Sequence, residues 1–70
     1  MSGFKAIEVK ELLKDSIIEN KEMLQDTYRF YSIAKRTIKD NIVVDKIDSI
    51  NSHINKAINK LVELQYILNK

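Results

Sequence analysis

Residues 47–68 read IDSINSHINKAINKLVELQYIL. Ile47, Ile50, Ile54, Ala57, Leu61, Leu64 and Leu68 recur at alternating spacings of three and four, which places them along one stripe of an α-helix. Ile58 widens the stripe on one flank, and Lys46, Asn55, Lys56, Asn59, Lys60 and Glu63 occupy much of the remaining surface. Asp45 stands where an N-cap is needed and Asp48 falls at the third helical position. The pattern predicts a helix over about residues 45–69.

Working back towards the N-terminus, the same helical period puts Leu13, Ile17, Leu24, Tyr28, Tyr31, Ile38 and Ile42 on one face. This predicts a helix over about residues 4–39. Asn20 and Thr27 interrupt the face. Ser16-Ile17-Ile18-Glu19 has the spacing of a capping box, so the alternative is a break near 15–20 and a three-helix bundle. The unbroken helix is preferred because no proline occurs and the only glycine is Gly3. Between the helices, Asp40-Asn41-Ile42-Val43-Val44 is expected as the connection. Asn41 would end the first helix in a left-handed conformation, and the β-branched Val43 and Val44 would discourage continuation. A short connection makes the helices antiparallel neighbours.

The expected fold is therefore all-α, a single helical domain over residues 1–70 built as an antiparallel hairpin. Two rods of this length leave much of each apolar stripe wet, which points to dimerisation into a four-helix bundle. The expected self-association core is Leu13, Ile17, Leu24, Tyr31, Ile38, Ile47, Ile50, Ile54, Leu61, Leu64 and Leu68.

Composition bounds the function. The chain has 70 residues and no cysteine, so neither a disulfide nor a thiolate metal site supports it. His53 is the only histidine. No Gly-rich phosphate loop, HExxH motif or nucleophile elbow is present. No catalytic residue, metal ligand or cofactor site is expected, and the chain reads as non-enzymatic. No apolar run approaches a membrane span, and the first residues lack the basic start and apolar stretch of a secretory signal. A cytoplasmic location and no membrane partner are expected. The excess of Lys, Ile and Asn favours an A/T-rich gene, as in a low-G+C bacterium or its phage.

Charge is uneven along the chain although the formal net charge is only +2. Residues 1–26 carry six acids and four lysines, whereas Arg29, Lys35, Arg36 and Lys39 oppose Asp40 alone in residues 27–44. This order complements the dipole of the first helix. The leading expectation is a small interaction protein, a regulator, adaptor, inhibitor or assembly factor, that binds another protein through Ile18, Arg29, Phe30, Ile33, Arg36 and Lys39. The second is a nucleic-acid-binding dimer whose basic stripe is Lys10, Lys14, Lys21, Arg36 and Lys39.

Overall fold

A computed structural model describes residues 3 and 5–70 of the chain. It is a helical hairpin of α1, Ala6–Thr37, and α2, Asn41–Leu68. The expected start of the first helix at residue 4 lies outside the described residues. α1 runs unbroken through 15–20, so the three-helix alternative is set aside. Asn20 donates to Ser16 Oγ at 3.1 Å, and the Thr27 hydroxyl donates to the Met23 carbonyl at 2.9 Å. Both polar side chains are thus satisfied within their own helix and break nothing.

The connection corrects the sequence reading. It spans only Ile38, Lys39 and Asp40, and none of the described residues has a positive φ. Asn41 therefore does not end α1 in a left-handed conformation; it begins α2. The cap is Asp40, not Asp45: one carboxylate oxygen accepts from the Ile42 and Val43 amides at 2.9 and 3.1 Å. The early start brings Val43 and Val44 into the helix, where both are half-buried. Their β-branched penalty of a few tenths of a kcal/mol each is smaller than the gain from covering a valine side chain, about 1 kcal/mol at half burial. Ile42, expected on the face of the first helix, instead projects from the first turn of α2 and is 73% exposed. Asp40→Ala is expected to cost about 0.5–2 kcal/mol of stability, whereas Asp45→Ala should stay within about 0.5 kcal/mol. Urea unfolding followed by circular dichroism separates the two. Equal losses would contradict the capping assignment.

The molecule measures 50 × 27 × 15 Å, so it is a single layer of two helices. Its radius of gyration of 16.3 Å is well above the roughly 11 Å of a compact chain of this length. The buried apolar side chains among the described residues are Ile17, Ile47 and Ile54, and of these Ile17 is fully buried. Asn51 is buried beside them. Its side-chain amide donates to Ser32 Oγ at 3.3 Å, while its own Oδ1 has no partner among the described residues.

Candidate interaction surface

The seam between the helices is not centred on the apolar stripes. On α1 the covered positions include Lys14, Ile17, Lys21, Leu24, Tyr31 and Lys35, at helical spacings of three, four and, across the exposed Tyr28, seven. The lysines lie along the seam and bond across it. Lys21 Nζ donates to Gln65 Oε1 at 3.0 Å, and Lys35 Nζ meets Asp48 Oδ1 at 2.6 Å. On α2, Ile47, Asn51 and Ile54 are buried while Ile50, expected in the stripe, is 41% exposed. Each helix is therefore rotated, so that one edge of its apolar stripe meets its mate and the other edge remains open.

Both open edges face the same way. Asn20, Met23 and Leu24 of α1 share a shallow groove with Ala57, Lys60, Leu61 and Leu64 of α2. The groove on the opposite side has another chemistry. It is lined by Tyr28, Ser32, Lys35 and Arg36 of α1 and by Asp48, Asn51, Ser52, Asn55, Lys56 and Asn59 of α2. The hairpin thus has one side without charge on α1, the apolar side, and an opposite, polar side that carries Lys35, Arg36 and Asp48 beside Ile33 and Ile58.

On the apolar side α1 is free of charge. At about 100° per residue, Val9, Leu13, Ser16, Asn20, Met23, Thr27, Phe30, Tyr31, Ala34 and Ile38 fall within an arc of about 120°. No acid or base between Ala6 and Ile38 falls in that arc. The signal was present in the sequence. Positions 9, 16, 23, 30 and 37 and positions 13, 20, 27 and 34 form two heptad series without a charged member. A search for large apolar residues passes over it because Ser, Asn, Thr and Ala supply much of it.

The residues singled out from sequence are only partly brought together. Arg29, Ile33 and Arg36 line one groove on the polar side with Gln25, Asn55 and Ile58. Ile18 lies on that side of α1 but several turns away, and Lys39 is in the connection. Phe30 lies towards the apolar side, with its ring centroid 6.0 Å from that of Tyr31. The basic set is also divided. Lys14 pairs with Glu11 at 3.6 Å, and Lys14 and Lys21 are half-buried at the seam. Lys10 stands on the exposed N-terminal turns, with Arg36 and Lys39 at the far end. Within the expected self-association core, Ile17, Ile47 and Ile54 are buried and Leu24, Tyr31, Leu61, Leu64 and Leu68 are half-buried, while Leu13, Ile38 and Ile50 are exposed.

Among the described residues the N-terminal end of α1 has no neighbour on α2. Gln65, which bonds Lys21, lies three residues before the end of α2, whereas α1 begins fifteen residues before Lys21. α1 therefore runs past α2 by roughly 18 Å, and Ile7, Val9, Leu12 and Leu13 are exposed there. Among the described residues no group of acids and His could hold a metal ion, and no helix is long and apolar enough to cross a membrane.

Fold and surface together define a two-helix hairpin with chemically distinct sides. Comparison with family models, with curated proteins and with solved structures gives no match.

Proposed function

We propose that the chain is a small non-enzymatic helical interaction protein of the cytoplasm, acting as a regulator, adaptor, inhibitor or assembly factor. It docks helices of another polypeptide on its apolar side. The observation that carries this reading is the charge-free arc of α1 beside the open edge of α2. Surface helices ordinarily carry charge on every face turned to water. An unpartnered arc without charge along a whole helix is the composition of an interface core. The docking surface proposed here is shifted from the sequence-derived set: it keeps Phe30 but centres on Met23, Thr27 and Ala34.

A photo-reactive phenylalanine analogue placed at Met23 and, separately, at Asn55 tests this in cells expressing the chain. Met23 is 66% exposed on the apolar side, and Asn55 is exposed on the polar side. Crosslinked adducts are expected from position 23 and not from position 55. Adducts from both positions alike, or from neither, would contradict the reading.

A further inference from the structure

We propose that the occupant of the apolar side is a second copy of the chain, in a four-helix bundle whose two-fold axis runs along the helices. In that arrangement α1 of each protomer lies against α2 of the other. The inference rests on the reading of that side as a docking surface and names what docks there.

The rotation of the helices is the first support. In an isolated helix pair each apolar stripe points at its mate. In a square four-helix bundle each stripe points at the centre, 45° away from the mate. In α1 the stripe centred on Leu13, Leu24 and Tyr31 lies roughly 50° from the middle of the seam. In α2 the stripe centred on Ile50, Leu61 and Leu68 lies roughly 40° from it. Both offsets are towards the side of the Met23–Leu64 groove. The hairpin has the geometry of half a bundle.

Surface area supports the same conclusion. The chain exposes 5694 Å², whereas a compact monomer of its mass exposes about 4,500 Å². The excess, about 1,200 Å², is more than the roughly 800 Å² that each partner contributes to a standard stable interface. A second layer on this side also supplies the two-layer core that the 15 Å thickness lacks.

Charge selects the arrangement. Beyond the apolar side, the outer edge of α1 carries Glu19 and Asp26, and the outer edge of α2 carries Lys56 and Lys60. A bundle that set α1 against α1 would face acid to acid and base to base. Setting α1 against α2 pairs opposite signs. The Ser32–Asn51 and Lys35–Asp48 contacts fix the level of one helix against the other and put Asp26 between Lys56 and Lys60 along the axis. Among the described residues Asp26 and Lys60 form ion pairs with neighbours on their own helices, Arg29 and Glu63, and both side chains are largely exposed. Such pairs set orientation more than affinity.

The absence of native cysteine allows a direct test. Thr27→Cys and Ala57→Cys chains are purified separately, mixed and oxidised, with Met23→Cys and Lys60→Cys as an independent pair. Disulfide-linked dimers are expected in each mixture, at least five-fold more than in any single variant alone. Efficient self-linkage of Thr27→Cys or Met23→Cys would overturn the arrangement, because it places α1 against α1. No linkage in either mixture would overturn the second copy as occupant. In that case adducts of foreign mass at Met23 in cells would leave the docking surface standing with a different partner, whereas absence of adducts would remove both.

Discussion

Ile17→Ala is expected to destabilise the protein by about 2–5 kcal/mol, the range for truncating a buried isoleucine to alanine. Ile17 is 1% exposed, the most completely buried large side chain described, and it sits on the seam one turn from Lys21. Its loss removes apolar surface from a very small core and leaves a void that two rigid helices cannot close. A domain of ordinary stability has only about 5–15 kcal/mol in total, and a single-layer hairpin has little else to draw on. The melting temperature should therefore fall by at least about 8 °C, at about 4–8 °C per kcal/mol for a chain of this size. Ile42→Ala, the same chemical change at a 73% exposed position, should stay within about 0.5 kcal/mol. Thermal unfolding at one fixed protein concentration compares them. A similar loss at both positions would mean that the core does not lie where the seam places it.

Asn51 is expected to respond in opposite directions to two substitutions. Its Oδ1 is buried without a partner among the described residues, and its bond to Ser32 is long at 3.3 Å. Ser32 retains a hydrogen bond to the Tyr28 carbonyl at 2.9 Å when Asn51 is replaced. Asn51→Leu removes an unpaired buried acceptor and fills the seam with carbon, so stability should rise by about 1–3 kcal/mol. Asn51→Asp puts a carboxylate in the same place with no cation bonded to it, and should cost about 3–5 kcal/mol. Denaturant midpoints of the two variants against the parent chain check both signs. A destabilised Asn51→Leu would show that the amide contributes more than its single long bond suggests. Buried asparagine at an inward helical position also specifies register. The stabilised leucine variant is accordingly expected to show broadened or duplicated amide resonances, as the two helices lose their fixed offset.

Helix content and antiparallel order were legible because the signals are local. Alternating three-and-four spacing, a chain without proline, and a short connection each act within a turn or two. The connection itself was misread by a few residues. Two aspartates, Asp40 and Asp45, can both cap a helix. The choice between them depends on whether Val43 and Val44 find something to cover them, and that something is α1. The rotation of each helix about its axis was not legible either. The stripe read from Ile47 to Leu68 is genuine, yet α2 turns Asn51 and Ile54 to its mate and leaves Ile50 open. That rotation is set by which side chains can interdigitate across the seam, including the lysines at 14, 21 and 35, whose alkyl stems serve as apolar filler. Lysine weighs as polar in any reading by residue type, so the seam of α1 was hidden. The charge-free arc was hidden for the converse reason: Ser16, Asn20, Thr27 and Ala34 are too small or too polar to count as apolar, and only the lack of charge marks them.

The central claim is that this hairpin is one half of its working structure. Light scattering coupled to size exclusion, on the unmodified chain across a dilution series, tests it most directly. The account predicts a mass near twice 8.2 kDa at the higher concentrations, falling towards the single-chain value only on dilution. A mass of one chain throughout, with no binding of an apolar-surface dye, would contradict it.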